Sequence, residues 1–217
     1  MLIEILNYLD VIAPLIAIIF FGKKLRKMPA ELIIVFMFLV LQLCCNALAS
    51  VMGLMKVANY NVYTINSILS FLVLNYLFYV LFRDINIKPA MITGIIIFST
   101  VTILSLLNGQ ELQTFSSNIT ATGSFIIVAL CLYYFYTKFA YGIPGQPVTA
   151  HAIFWAIAGI FTYYTGSFFI FISYKYLIES HNRIIGTLWR FHNVLLLVCC
   201  GYITYGILWK GYRKILQ

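Results

Sequence analysis

The sequence predicts an all-α polytopic membrane protein, a bundle of seven transmembrane helices. Hydrophobic residues make up 63% of the 217 residues and charged residues only 9%, whereas an average soluble domain is roughly 25% charged. Seven apolar runs have about the 20 residues that a spanning helix needs, and only short polar connections separate them. The runs are apolar on every side, and polar and apolar residues do not alternate along them. This pattern favours helices over the strands of a transmembrane barrel.

The predicted spans form a single domain and follow one another as residues 3–21, 31–53, 62–82, 88–107, 119–141, 150–177 and 185–208. Span one begins with the acidic flank MLIEILNYLD, so we expect a retained helix and not a cleaved signal peptide. Spans three and five contain LVLNYLFYVLF and FIIVALCLYYFYTKF, which are apolar on every side. The longest connections are NGQELQTFSSN after span four and YGIPGQP after span five.

The orientation follows from the basic residues, which are distributed unevenly between the two ends of the bundle. Ten lie on one side: Lys23, Lys24, Arg26, Lys27, Arg83, Lys88, Lys138, Lys210, Arg213 and Lys214. The other side has Lys56, Lys175, Arg183 and Arg190. The positive-inside rule therefore predicts an outer N-terminus and a cytoplasmic C-terminus. It also explains the net charge of +8 without nucleic-acid binding.

Neither a metal site nor an enzyme active site is expected from the reactive residues. The five cysteines lie inside predicted spans: Cys44, Cys45, Cys131, Cys199 and Cys200. We interpret them as small packing residues, because a metal site needs more donors nearby. No H-E-x-x-H, G-x-S-x-G or paired-acid pattern occurs, so we predict no cofactor and no catalytic site, with a membrane hydrolase as the alternative.

A faint internal similarity suggests that spans one to three and five to seven form a parallel repeat around span four. Pro29 precedes span two, as Pro147 precedes span six. Asn66 is followed by two tyrosines in span three, as Asn193 is in span seven. A 3+1+3 arrangement gives both triplets the same orientation, which a parallel repeat requires.

The candidate functional residues are polar side chains inside the spans, since such groups are costly in hydrocarbon and usually face the interior of a bundle. Most lie at a similar depth, roughly 8–15 Å from the predicted outer surface at about 1.5 Å per residue. Helical spacing gives five spans a polar stripe each. We predict that ten residues line an outward-facing ligand pocket: Asp10, Asn46, Asn66, Ser70, Tyr163, Ser167, Trp189, Arg190, His192 and Asn193. The alternative is that individual Asn and Ser side chains only join neighbouring helices.

Asp10 is the one acid well inside a span, where a carboxylate must pair, hold a proton or meet water. We expect it to pair with Arg190 across spans one and seven. Pro14, one turn further along, frees the backbone carbonyl of residue 10 and is expected to kink the helix. For His192, we expect hydrogen bonding to a ligand or to the protein in preference to a proton relay.

Spans six and seven carry an F-W pair, then Y-x-x-G-x-x-F-x-F, then W-x-x-H. The residues concerned are Phe154, Trp155, Tyr163, Gly166, Phe169, Phe171, Trp189 and His192. Together with NYNVYTINSILSF in span three, these sequence segments resemble those of short seven-span proteins of Bacteroidota. Ser70 stands where that family usually has an acid. The resemblance implies a stand-alone, sensor-like membrane protein.

Two further resemblances concern topology alone. The span count is similar to that of G-protein-coupled receptors, whose D-R-Y and N-P-x-x-Y motifs this chain lacks. The 3+1+3 arrangement is similar to SWEET and PQ-loop carriers, although no Pro-Gln pair occurs.

The predicted function is that of a sensor or receptor-like module in a bacterial cytoplasmic membrane. It would bind a small ligand from the outer side and act through a partner protein or as a homo-oligomer. One alternative is a small-solute carrier built on the 3+1+3 repeat, against which the scarcity of polar groups in the inner half counts. Another is an accessory subunit whose polar stripes pack within a larger complex.

Overall fold

The computed structural model describes residues 6–22, 28–82, 87–107, 115–140, 148–179 and 185–213. These residues form helices and contain no strand, which confirms the predicted all-α class for the described part of the chain. The helices are α1 (Leu9–Gly22), α2 (Ala30–Leu54), α3 (Tyr60–Leu81), α4 (Lys88–Leu107), α5 (Ser117–Ala140), α6 (Ala152–Glu179) and α7 (Ile185–Arg213). A short 3-10 turn, Val148–Ala150, precedes α6.

Six of these helices, α2 to α7, are long and apolar enough to cross a membrane. Their surfaces carry many exposed apolar side chains, such as Met37, Ile96, Phe125 and Phe169, which suit contact with lipid and not with water. The chain is therefore a multi-pass membrane protein by the length and composition of its helices. The described part of α1 is shorter, at 14 residues, and the first residues of its predicted span lie outside the described ranges.

Half of the fourteen basic residues that predict the orientation lie outside the described ranges: Lys23, Lys24, Arg26, Lys27, Arg83, Arg183 and Lys214. The connection YGIPGQP and the first seven residues of NGQELQTFSSN lie outside them as well. The orientation in the membrane therefore stays a prediction.

Six helices form a closed ring in which each contacts its two neighbours. The order around the ring is α1, α2, α3, α5, α6 and α7, and α7 returns to α1. The α6–α7 contact is the most extensive. Helices α2 and α6 also touch across the middle of the ring, so the interior is narrow.

Helix α4 lies outside this ring and packs mainly on α5. Only 17% of its apolar window is buried, against 39–50% for the other five long helices. Its main anchor is Phe98, which stacks on Phe71 of α3 with ring centroids 3.8 Å apart. A Cβ on Gly123 of α5 would come within 3.0 Å of the Phe98 ring, so that glycine makes room for the anchor.

The two ends of the ring interior differ in polarity. We call one the cavity end, where α1, α3, α5 and α7 begin and where α2 and α6 finish. At the opposite end the interior is filled mainly by fully buried apolar side chains, among them Phe21, Phe38, Phe78, Ile157 and Ile160, and Asn75 is a buried polar exception. Close packing of this kind leaves few voids large enough for water, so the interior is closed at that end.

Two glycines allow α6 and α7 to approach closely at the same apolar end. A Cβ on Gly159 would lie 2.8 Å from the carbonyl oxygen of Cys199, and a Cβ on Gly206 would lie 2.8 Å from that of Ala152. Small residues at helix interfaces let backbones come together in membrane proteins. The α6–α7 pair is therefore held by direct backbone proximity.

Candidate functional site

A cavity lies inside the ring at the cavity end, and all six ring helices contribute to its walls. None of its lining residues lies on α4. The space that the centre of a water molecule can occupy measures about 40 Å³, which corresponds to roughly three water molecules. The cavity is thus small in this conformation, and its walls combine polar and apolar side chains.

The structure brings nine of the ten predicted site residues to this one cavity. They are Asp10, Asn46, Asn66, Ser70, Tyr163, Ser167, Trp189, His192 and Asn193. They come from five helices that are far apart in sequence, so the polar stripes predicted from helical spacing do converge.

Arg190 is the exception, and its expected ion pair with Asp10 is not formed. Its guanidinium donates to the carbonyl oxygen of Gly186 at 3.1 Å and to Thr187 Oγ1 at 3.2 Å, both on its own helix. A long side chain near the end of a membrane helix gains by extending its charge toward the aqueous boundary. The side chain of Arg190 follows that tendency and turns away from the cavity.

An amide pair connects α2 and α3 on one wall. Gln42 and Asn66 exchange hydrogen bonds, with Asn66 Nδ2 donating to Gln42 Oε1 at 3.2 Å and Gln42 Nε2 donating to Asn66 Oδ1 at 3.3 Å. Ser70 completes the group, because its hydroxyl accepts from Gln42 Nε2 at 2.8 Å and donates to Asn66 Oδ1 at 3.2 Å. These three side chains satisfy one another.

The hydrogen bond that Pro14 removes from α1, which continues as a helix from Leu9 to Gly22, is replaced by a neighbouring helix. Proline has no N–H to donate to the carbonyl four residues earlier, which here belongs to Asp10. Asn46 Nδ2 of α2 donates to that carbonyl oxygen at 3.2 Å and so replaces the missing intrahelical hydrogen bond. On the other side, Asn193 Nδ2 of α7 donates to the carbonyl oxygen of Leu6 at 3.2 Å. Two buried amides therefore hold the start of α1 through its backbone.

His192 is held at both ring nitrogens. Tyr163 OH lies 3.1 Å from His192 Nε2, and Ser167 Oγ lies 3.1 Å from Nδ1. Because hydroxyl groups donate or accept, either neutral tautomer is satisfied. Phe171 packs edge-on against the imidazole, with centroids 5.1 Å apart. His192 thus joins α7 to two successive turns of α6.

Two buried polar atoms of residues that line the cavity have no hydrogen-bond partner in the part of the chain that the structure describes. They are Oδ1 of Asp10, a residue 5% exposed, and Oγ of Ser124, a residue 1% exposed. A buried polar atom without a partner costs about 1–3 kcal/mol, and more for a charged group. Both residues line the cavity, so each is a candidate hydrogen-bonding partner for a bound molecule.

An aromatic layer separates the cavity from a shallower depression above it. Tyr63, Phe115 and Trp189 line both spaces. Trp189 packs edge-on against the other two rings, with centroid distances of 4.9 Å to Tyr63 and 5.8 Å to Phe115. The depression is wider than the cavity, with about 350 Å³ open to the centre of a water molecule. A molecule that enters from this end must pass between these three rings.

The contribution of span five was not predicted from the sequence. Thr120, Gly123 and Ser124 of α5 all line the cavity, and Thr120 shares a 2.8 Å hydrogen bond with Ser67 of α3. Their i, i+3, i+4 spacing is the same signal that identified the other stripes. The signal was present but weak, because these side chains are short.

The cysteines lie apart from this site. All five are free thiols: Cys131, Cys199 and Cys200 are buried, Cys45 is half-buried and Cys44 is exposed. None of them lines the cavity. Among the described residues, no group of three or more His, Cys, Asp or Glu side chains could hold a metal ion.

No protein-family model, curated protein or solved structure matches this chain. The functional conclusion therefore depends on the geometry of the cavity.

Proposed function

We propose that this chain is a receptor-like membrane module that binds a small ligand in the polar cavity and passes the signal to a partner protein. The observation that carries the proposal is the unpartnered Asp10 Oδ1 and Ser124 Oγ in a cavity walled by six helices. Buried polar groups generally satisfy each other. Asn75 and Thr165 also have unpartnered atoms, but neither residue lines the cavity, whereas Asp10 and Ser124 do.

The remaining wall residues support binding because they are already ordered. Gln42, Asn66 and Ser70 bond to one another, and His192 is held by Tyr163 and Ser167. Side chains fixed before the ligand arrives lose little conformational freedom on binding. A wall of this kind orients a small molecule, while the two unpartnered atoms supply new hydrogen bonds.

The apolar packing at the opposite end favours binding over passage. The buried side chains there include Leu74, Leu77 and Phe78 of α3 and Ile157 and Ile160 of α6. A solute that left the cavity in that direction would have to separate this core. A ligand that enters and leaves by the aromatic layer needs only the rings of Tyr63, Phe115 and Trp189 to move.

The test is a screen of small solutes against the full chain in lipid nanodiscs, with the thermal midpoint of unfolding as the readout. A ligand that binds only the folded state stabilises it by RT ln(1 + [L]/Kd). Ser124→Leu fills the cavity without removing a hydrogen bond of Ser124 Oγ. Ser99→Leu makes the same change on the exposed face of α4 and is the matched control.

We expect at least one solute to raise the midpoint of the wild type and of Ser99→Leu, and to leave Ser124→Leu unchanged. A ligand effect that survives Ser124→Leu would locate binding elsewhere. A screen of cationic, anionic and neutral solutes without any shift would refute the proposal.

The second candidate is a small-solute carrier on a 3+1+3 repeat, which the ring order favours. With α4 outside the ring, the contacts α1–α2, α2–α3 and α3–α5 correspond to α5–α6, α6–α7 and α7–α1. A parallel repeat of three helices would produce this pairing. Uptake of the stabilising solute into proteoliposomes would support the carrier, and binding without uptake would support the receptor.

A further inference from the structure

The charged side chain on the described cavity walls is negative. Among the residues that the structure describes, Asp10 is the one carboxylate on the cavity walls, and none of the described lysines and arginines lines the cavity. Arg190, the basic residue nearest in sequence to the α7 wall, donates to Gly186 and Thr187 of its own helix. An anion in this cavity would find no cationic side chain, whereas a cation would find a carboxylate.

One oxygen of the Asp10 carboxylate, Oδ1, is left without a partner, because the amides beside it donate to backbone atoms. Asn46 Nδ2 donates to the carbonyl oxygen of Asp10, and Asn193 Nδ2 donates to that of Leu6. Oδ1 of Asp10 is left without a partner in a side chain that is 95% buried, since its exposed fraction is 5%. A buried carboxylate is stable when it is paired with a positive charge or holds a proton.

The other walls suit a cation that carries N–H groups. The rings of Tyr63, Tyr163 and Trp189 line the same cavity, and aromatic faces attract cations. Ser124 Oγ has no partner and can accept an N–H hydrogen bond. Both ring nitrogens of His192 are already engaged by Tyr163 and Ser167, so the imidazole adds no donor for an anion.

We infer that the cavity selects a small organic cation with N–H donors, an ammonium or amidinium, whose charge pairs with the carboxylate of Asp10. This inference rests on the proposed ligand-binding function and names the chemical class of the ligand. The cavity has about 40 Å³ open to the centre of a water molecule, room for roughly three waters. The ligand group that enters it is therefore the size of a few non-hydrogen atoms.

The test compares three planar molecules of nearly equal shape and different charge: acetamidinium, acetamide and acetate. Each is added to the full chain in nanodiscs at constant ionic strength, with sodium chloride as the reference salt, and binding is measured by the thermal midpoint and by calorimetry. We expect acetamidinium to bind at least about tenfold more tightly than acetamide or acetate, a difference of about 1.4 kcal/mol.

Asp10→Asn keeps the shape of the side chain and removes its charge. We expect it to weaken acetamidinium binding by about tenfold or more and to weaken acetamide binding by a smaller factor, because acetamide carries no charge. Ser124→Leu, which keeps the carboxylate and fills the cavity, should abolish the acetamidinium effect while Ser99→Leu retains it. The comparison of the three probes on the wild type needs no variant, so it stands even if Asp10→Asn does not fold.

Equal or tighter binding of acetamide or acetate would overturn the cation inference and leave the ligand-binding function in place. An equal effect of sodium and acetamidinium would also overturn it, in favour of an inorganic cation. If none of the three probes binds, the cation inference fails, and the proposed function is then decided separately by the broader solute screen.

Discussion

At the scale of single residues, the cavity combines side chains that are fully bonded with a few that are not. His192 belongs to the first kind, since it bonds to Tyr163 and Ser167 through opposite ring nitrogens. Asp10 and Ser124 belong to the second kind. The bonded residues maintain the shape of the site, and the unbonded ones are available to a ligand.

His192→Phe should destabilise the protein by about 1–2 kcal/mol. Phenylalanine preserves much of the ring packing but leaves two buried hydroxyls, those of Tyr163 and Ser167, without their partner, and such groups cost free energy. The measurement is the free energy of unfolding in mixed micelles. The control is Phe191→Leu, at a neighbouring position that is 53% exposed. Equal stability of His192→Phe and wild type would mean that the two hydrogen bonds contribute nothing.

Most of the site residues could be anticipated at this scale, and Arg190 could not. Nine of the predicted residues line the cavity because polar groups in a bundle face inward irrespective of their exact partners. The direction of Arg190 depends on what its long side chain can reach. The groups within reach are set by the distance of Arg190 from the membrane boundary and by the acceptors of Gly186 and Thr187 in the preceding turn.

At the scale of elements, α1 and the α6–α7 pair show two ways in which backbone groups determine packing. In α1, Pro14 removes an intrahelical hydrogen bond and Asn46 of α2 replaces it from outside. In the α6–α7 pair, Gly159 and Gly206 bring backbone atoms close together. Each arrangement makes one helix depend on a particular residue of another.

Asn46→Ala should cost about 1 kcal/mol of unfolding free energy in the wild type, because the carbonyl of Asp10 loses its donor. In a Pro14→Ala background the cost should be smaller, since the introduced alanine supplies an N–H for that carbonyl. A double-mutant cycle in micelles measures the coupling, which we expect to be about 0.5 kcal/mol or more. Additive effects would show that Asn46 does not compensate for the proline.

Gly206→Ala should destabilise the protein by about 1–3 kcal/mol, the usual cost of overpacking a core. Its Cβ would lie 2.8 Å from the Ala152 carbonyl oxygen and 2.9 Å from Trp155 Cβ. Gly201→Ala on the same helix is the matched control, since a Cβ there meets nothing within 4 Å. We expect that control to be neutral or stabilising by up to about 1 kcal/mol, from the better helix propensity of alanine. Equal thermal midpoints for the two variants would contradict the close approach of α6 and α7.

At the scale of the whole molecule, six helices enclose a space that is polar at one end and apolar at the other, and a seventh helix lies outside. The boundaries of α2 to α6 closely follow the predicted spans, and α4 coincides with its span at residues 88–107. The peripheral place of α4 was not predicted, because its composition is as apolar as that of the ring helices. Its outside position follows from its contacts with α5 and Phe71.

The positive-inside rule predicts that the cavity end faces outward and that the C-terminus is cytoplasmic. In a bacterial host, a fluorescent protein fused to the C-terminus should therefore fluoresce, and alkaline phosphatase at the same position should be inactive. A fusion in the connection between α2 and α3, near Lys56, should give the opposite pattern. An active phosphatase at the C-terminus would reverse the orientation and place the cavity on the cytoplasmic side.

The sequence alone determined that the chain is helical, where its helices lie and which residues are candidates for the site. These properties depend on the local cost of placing apolar, polar and backbone groups in hydrocarbon, which each segment carries by itself. Only the tertiary structure decided the ring order, the outside position of α4, the Gln42–Asn66 pair, the absence of an ion pair between Arg190 and Asp10, and the unpartnered Asp10 Oδ1. Those features depend on distances between groups on helices remote in sequence, and hydrogen bonds form or fail over a few tenths of an ångström.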